Sequence, residues 1–333
     1  MSDNCLSGIG IIGVGKYIPI KIVTNEQVES WTGVSAQDIV TKTGIMARYI
    51  VEDNETASGI SAIAAQQAIQ GARITPEQIG VIVGCTFSGD YIFPAMACKV
   101  QDLIGARRAG AFDLMANCTG FQVGLSVVAD RLRCDPSLAY GLVLGTAIQS
   151  RFIKWTDPES AIYFSDGAGA AVLGHVPAGY GFLSTEVFTN SSVFEAVRLR
   201  GGGSSHPLRP ENINDNLQYY DINGMEVWKQ VVQYQPKAIR NALAKAGKKI
   251  EDVDFFIFHQ ANLRLIEYLM AKMKQPMSKT YTNVAAIGNT ADASLAIALC
   301  EAEEKGLLQR GHLVVISGVG AGFTFGASVI RWY

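Results

Sequence analysis

ITPEQIGVIVGCT (Ile74–Thr86) and KKIEDVDFFIFHQ (Lys248–Gln260) read alike: a polar, acidic turn, one apolar residue, then an apolar run ending at Cys85 or His259. Short apolar runs bounded by turn signals are buried strands of an α/β sheet. An alanine-rich segment of helical length precedes each, Ile60–Ala72 and Gln235–Ala246. The echo continues downstream in the same order. FDLMANCTG carries Cys118 and YTNVAAIGNT carries Asn289; GLVLGTA (Gly141–Ala147) matches HLVVISGVG (His312–Gly320), and DGAGAAVLG (Asp166–Gly174) matches GAGFTFGAS (Gly320–Ser328). This predicts an α/β protein of two related halves, 1–175 and 176–333. The glycine-, proline- and asparagine-rich stretch at about 200–225 interrupts the second half, and a loop of that length inside a compact enzyme is expected to be a lid or binding loop.

The whole chain sets the outer limits. Its 333 residues fit two domains or one duplicated unit, and with 48% hydrophobic and 17% charged residues it is no disordered segment. Lys+Arg number 28 against 30 Asp+Glu, a net charge of −2 that offers a polyanion no general attraction, so no nucleic-acid partner is expected. The start, MSDNCLSG, has no basic stretch before an apolar one, which gives no secretory leader and a cytoplasmic expectation. Leu313–Ile330 is uncharged but carries four glycines, Gly318, Gly320, Gly322 and Gly326, so it reads as buried strands and a turn, with no membrane span. The six cysteines form no C-x-x-C pair and fit reduced thiols; the four histidines lie far apart, so no metal is expected. GIGIIG (Gly8–Gly13) matches the glycine string of dinucleotide sites, but the strand before it and the helix after it are missing, and no nucleotide fingerprint is read there.

Three residues stand out as chemistry. Cys118 sits where the strand Ala111–Met115 gives way to the apolar helix TGFQVGLSVVADRL, whose N-terminal partial charge would favour a thiolate. Position alone leaves it open between nucleophile and small core residue. For Cys85, Cys98, Cys134 and Cys300 the core reading is preferred. His259 closes the strand FFIF, and Asn289 lies between Gly288 and Thr290 at the junction that matches that of Cys118. Strand ends of this kind converge on a crevice in doubly wound sheets.

NCTGF with Cys118, HQANLR with His259 and GNTADAS with Asn289, in that order over the whole chain, resemble the β-ketoacyl-ACP synthase III type of thiolase-superfamily condensing enzyme. SDGAGAAVL, GVGAGFTFG and the early VTKTGI match as well. The resemblance implies a five-layer αβαβα fold from two duplicated halves and a homodimer. It implies that Cys118 is acylated by an acyl-CoA or acyl-ACP substrate, without a resident cofactor. His259 and Asn289 then promote decarboxylation of a malonyl thioester, and the backbone N–H groups of Cys118 and Ala321 form the oxyanion hole. A soft thiolate suits a cycle in which the acyl group is taken up and then surrendered, and an enolate oxygen needs hydrogen-bond donors.

The departures bear on the donor. The tryptophan and two arginines that such enzymes offer to coenzyme A fall on Asp38, Lys42 and Pro158. Losing an aromatic face and planar guanidinium groups favours acyl-ACP as donor, and secondary metabolism over fatty-acid initiation, unless Arg151, Lys154 or Trp155 rebuild the contacts. By the same resemblance Lys229 and Arg264 would receive an acidic acyl carrier protein, and Phe93 would reach across a dimer to the partner's acyl pocket. The competing functions are an acyltransferase that moves the acyl group to an oxygen or nitrogen without decarboxylation, and an inactive partner in a heterodimer.

Overall fold

The computed structural model describes residues 8–333, and Cys5 lies outside them. One sheet comprises β1 (Gly8–Tyr17), β2 (Ile79–Cys85), β3 (Gly110–Leu114), β4 (Tyr140–Ala147) and β5 (Gly167–Val176), in the order β1-β5-β4-β2-β3. A second large sheet comprises β6 (Gly181–Thr189), β7 (Phe255–Phe258), β8 (Leu313–Gly320) and β9 (Thr324–Arg331), in the order β7-β8-β9-β6, and two further sheets have two short strands each. The pairings correspond. β2 runs parallel to β4 as β7 does to β8, and the next two neighbours are antiparallel in both sheets. Cys85 lies opposite Gly145, and His259 donates its N–H to the carbonyl of Ser317, beside Gly318, so the strand ends Cys85 and His259 occupy matching places.

The sheets differ at one edge. β3 adds a full parallel ladder to the first, whereas the matching segment of the second makes a single parallel bridge, Phe256 to Thr280.

Helices fill three layers around the sheets. The helices α1 (Ala57–Ala72) and α2 (Met96–Ile104) cover the outer face of the first sheet, where Ala64, Ala65 and Ala68 pack with Ile82 and Leu144. α4 (Gly224–Lys245) and α5 (Leu263–Lys272) cover the outer face of the second, where Ile239 and Leu243 meet Phe256 and Val315. Between the sheets lie α3 (Gly120–Cys134) and α6 (Ser294–Glu304); Phe121, Leu125, Leu295 and Leu299 join Val83 and Val143 to Ile257 and Ile316 in one core. α6 is buried on every side from Ser294 to Cys300, which explains why it lacks a polar stripe there, and α3 is buried along the face of Phe121, Leu125, Val128 and Leu132 and exposes Val127 and its charged last turns. The arrangement is the five-layer αβαβα thiolase-like fold.

GIGIIG is strand β1 itself, and its glycines serve packing. A Cβ on Gly13 would stand 2.3 Å from the carbonyl oxygen of Ala68, so only glycine lets α1 lie this close. The helix expected from Gln235 starts at Gly224, capped by the Asn223 side chain on the Glu226 N–H at 3.2 Å. Pro236 lies inside it and cannot donate to the carbonyl of Val232; Lys272 from α5 donates there at 2.7 Å. Among the described residues no helix is long and apolar enough to cross a membrane.

Candidate active site

Past the end of β3 the chain turns through Asn117–Thr119 before α3 begins, and this turn carries Cys118. Asn117 holds a left-handed φ of 48°, a conformation asparagine tolerates better than most residues, and its amide donates to the carbonyl of Ala321 at 3.1 Å. The GVGAG run presses on the turn from the other half. A Cβ on Gly320 would lie 2.0 Å from the carbonyl oxygen of Ala116, so this close approach requires glycine.

Cys118, His259, Asn289 and Ala321 line one cavity of about 210 Å³, with Phe164, Trp228 and apolar side chains of α4 and α5. The structure therefore brings together the residues expected for catalysis and for the oxyanion hole. It corrects the expectation of a lowered thiol pKa. Burial in this apolar pocket pushes the Cys118 thiol well above its ordinary range, the charge of Asp292 adds to the rise, and only the backbone N–H of Cys118 opposes it. Cys118 rests as a thiol, because desolvation outweighs the helix start.

His259 is held by Ser294, whose Oγ lies 2.5 Å from Nδ1 and also accepts the Gln260 N–H at 3.3 Å. The proton assignment consistent with both contacts has Ser294 donating to Nδ1, which leaves the hydrogen on Nε2. Burial holds the imidazole down at about 3, so it is neutral near pH 7. Asn289 is fixed through its backbone: its N–H donates to Tyr163 at 2.9 Å, and its carbonyl accepts from Ser165 and Gln149 at 2.8 and 2.7 Å. Its Oδ1 accepts from the Ala291 N–H at 2.9 Å, which turns the amide NH2 into a donor for the cavity. One imidazole and one amide thus offer N–H groups beside a thiol in a largely apolar pocket.

The carrier-binding candidates stand outside the cavity. Arg264 donates to the carbonyls of Thr41 and Val40 at 3.1 and 3.3 Å and pairs with Glu267 at 3.0 Å; Lys229 pairs with Glu226 at 2.6 Å. Both are engaged in local pairs beside Trp228 and Asn262, which line the pocket. Lys42 and Asp38 lie exposed on the short helix Ala36–Thr43, and the Lys42 carbonyl accepts from the Asn262 amide at 3.2 Å. Pro158 opens another short helix, Pro158–Ala161. Arg151 is tied to the carbonyl of Glu55 at 2.7 Å, and Trp155 meets Trp31 edge-on at 5.4 Å. Phe93 is 83% exposed beside Ile92 at 89% and Tyr91 at 75%.

Sequence reasoning missed Tyr220, Phe164, Trp228 and Asp292. Tyr220 stacks on Phe164 at 4.7 Å and donates to the side chain of Gln149 at 3.1 Å, so the short strand Tyr220–Ile222 folds the end of the 200–225 insertion over the site. The insertion also supplies Ile222 and Gly224 to the cavity wall. Only Asp292 carried a signal, as the one charged residue between Lys279 and Glu301. Among the described residues no group of three His, Cys, Asp or Glu side chains could hold a metal ion.

Comparison with known proteins agrees with this geometry. Residues 112–191 match the family model of 3-oxoacyl-[acyl-carrier-protein (ACP)] synthase III, and residues 243–332 match that of its C-terminal part. The chain is 36% identical over 324 residues to the β-ketoacyl-[acyl-carrier-protein] synthase III of Desulfitobacterium hafniense strain Y51, covering 97% of this chain and 98% of that one. Its fold is similar to the crystal structure of 3-oxoacyl-[acyl-carrier-protein] synthase III from Aquifex aeolicus VF5, with TM-score 0.89, 34% identity and coverage of 98% and 100%. It is also similar to the priming β-ketosynthase of the R1128 polyketide pathway, with TM-score 0.90, 28% identity and coverage of 98% and 97%. With a cysteine, a neutral histidine and an asparagine amide meeting in one pocket, and relatives of that kind over nearly its whole length, the chain belongs to the β-ketoacyl-ACP synthase III family of thiolase-superfamily condensing enzymes.

Proposed function

We propose that the protein takes an acyl group onto Cys118 and condenses it with a malonyl-type thioester in a decarboxylative, chain-initiating step. The observation that carries this reading is the pair of N–H donors, His259 Nε2 and the Asn289 amide, lining the same cavity as the thiol. In the first half-reaction the Cys118 thiol gives up its proton as its sulfur attacks the thioester carbonyl, the backbone N–H groups of Cys118 and Ala321 receive the oxyanion, and the carrier sulfur leaves as a thiol, taking up that proton. In the second, a malonyl thioester loses carbon dioxide. Its enolate oxygen accepts from His259 and Asn289, and its carbon attacks the acyl-cysteine, returning the thiolate. A neutral imidazole with its hydrogen on Nε2 fits this role, since it donates without already carrying charge.

The relatives named for β-ketoacyl-ACP synthase III favour fatty-acid initiation, and the R1128 likeness keeps secondary metabolism in view. On the donor side, the exposed Asp38 cannot stack on adenine and repels phosphate, which supports acyl-ACP over acyl-CoA. Tyr91, Ile92 and Phe93, with Met115 at 71% exposure, give one chain an exposed apolar surface that supports a homodimer.

The test is stoichiometric. Acyl-Cys118 enzyme mixed with malonyl-ACP should release carbon dioxide and β-ketoacyl-ACP in equal amounts. Transfer of the acyl group without carbon dioxide would overturn the condensing role and leave the simple acyltransferase.

A further inference from the structure

The nucleophile has a positional twin. The turn Asn117–Thr119 opens with left-handed Asn117 and leads into α3 at Gly120; the turn Ala291–Ala293 opens with left-handed Ala291, φ 41°, and leads into α6 at Ser294. The Cys118 carbonyl packs on Gly318, where a Cβ would stand 3.2 Å away, and the Asp292 carbonyl packs on the matching Gly145, at 2.4 Å. The residue that corresponds to Cys118 in the second half is therefore Asp292. By the same correspondence Cys85 answers to His259, so the pair Asp292 and Cys85 stands where the fold's internal symmetry repeats the pair Cys118 and His259. The two pairs share one neighbourhood. A Cβ on Gly120, the first residue of α3, would lie 3.2 Å from Asp292 Oδ1 and 3.3 Å from the Cβ of Cys85.

This second pair is closed off. Asp292 is fully buried, and neither of its carboxyl oxygens has a hydrogen-bond partner. Among the described residues it forms no ion pair. An isolated carboxylate in such a place is among the costliest groups a protein can bury. Burial pushes its pKa to about 8, so near pH 7 most of it is the uncharged acid. The titratable groups that its charge acts on are Cys118, Cys85 and Tyr220, which it raises in each case. The charged residues of the helices packed beside it, Asp130, Arg131 and Arg133 on α3 and Glu301, Glu303 and Glu304 on α6, lie at the far ends of those helices, and His175 lies at the far end of β5.

We propose that Asp292 is a positioning residue for the nucleophile: it is carried as a neutral acid beside the Cys118 turn, and when it loses its proton to solvent the resulting carboxylate suppresses the Cys118 thiolate. The sign follows from the charges. Below the carboxyl's transition burial alone opposes the thiolate, and above it a second negative charge opposes it as well. A thiol in the same pocket without Asp292 becomes steadily more reactive as pH rises, whereas here the rise is blunted in the alkaline range.

The test reads the thiol directly and needs no condensing activity, so its failure is distinguishable from failure of the proposed reaction. Wild type, Asp292→Asn and Asp292→Ser are alkylated with iodoacetamide from pH 6 to 10, and the Cys118 peptide is quantified by mass spectrometry apart from the exposed Cys98 and Cys134. Below about pH 7.5 the rates should coincide, because Asp292 is then mostly neutral. At pH 9.5 both variants should react about tenfold faster than wild type, the equivalent of one pKa unit at Cys118. Parallel rate–pH curves for wild type and the two variants would overturn the proposal, as would variants slower than wild type at high pH.

Discussion

The turns Asn117–Thr119 and Ala291–Ala293 have the same shape, each led by a left-handed residue and each delivering a buried central helix, yet they carry opposite chemistry. The first half places a thiol at the second position of the turn, and the second half places a carboxyl there. The strand ends differ too: Cys85 closes β2 as a buried thiol, and His259 closes the counterpart strand as a neutral donor. A duplicated scaffold thus makes two equivalent positions, and under the proposed function side-chain choice would give the acyl-accepting thiol to one half and the charge-stabilising donors to the other. Asn289 belongs to this division, although it lies upstream of the turn and has no positional match in Cys118.

The comparison is broken most severely at Cys118. Cys118→Ala should abolish the acyl adduct in intact-protein mass spectrometry with any acyl thioester, because Cys85, the other thiol near the site, is fully buried. An adduct persisting on that variant would move the nucleophile elsewhere.

A smaller but still large effect is expected where one half grips the other's turn. The counterpart of Gly320 on β4 is Ala147, which already bears a Cβ, whereas a Cβ on Gly320 would collide with the Ala116 carbonyl at 2.0 Å. Gly320→Ala must shift the backbone of the Cys118 turn, costing roughly 1–3 kcal/mol of stability as overpacking does. It should also slow acylation more than it lowers melting temperature would suggest. Unchanged acylation in a stable Gly320→Ala protein would show that the two segments do not depend on each other.

The smallest effect sharpens the contrast between the sheet edges. In the second half, the bridge at Phe256–Thr280 is reinforced by the Thr280 hydroxyl donating to the Phe256 carbonyl at 2.9 Å. Thr280→Val should cost about 1 kcal/mol in denaturant titration, the net worth of one hydrogen bond, and leave acylation intact. A loss of acylation would tie this edge to the site.

Much of this division was legible in the chain. The paired strand signals at Val81–Cys85 and Phe255–His259 found both sheets because buried strands must be apolar, and the motifs around Cys118, His259 and Asn289 found the pocket. What escaped was set by three-dimensional context. The match of Cys118 to Asn289 held for the junction but not for the residue, since the true twin is defined by helix starts at Gly120 and Ser294 that residue types do not mark. Pro236 hid the first turns of α4, because the lysine that satisfies the freed carbonyl comes from α5. The thiol's pKa was read from the helix start alone; the buried surroundings that reverse it, and the stacking of Tyr220 on Phe164, exist only after folding.

Under the proposed function the side chains for loading and for decarboxylation come from different halves. The measurement that tests it most directly is a single-turnover experiment on Asn289→Ala and His259→Ala, following the acyl adduct by intact mass and carbon dioxide release from malonyl-ACP in the same reaction. Adduct formation should stay close to wild type in both variants. Carbon dioxide release should fall by on the order of 100-fold or more, the loss typical of removing one donor to a developing oxyanion. Wild-type carbon dioxide release from both variants, or loss of the adduct in step with it, would contradict the division.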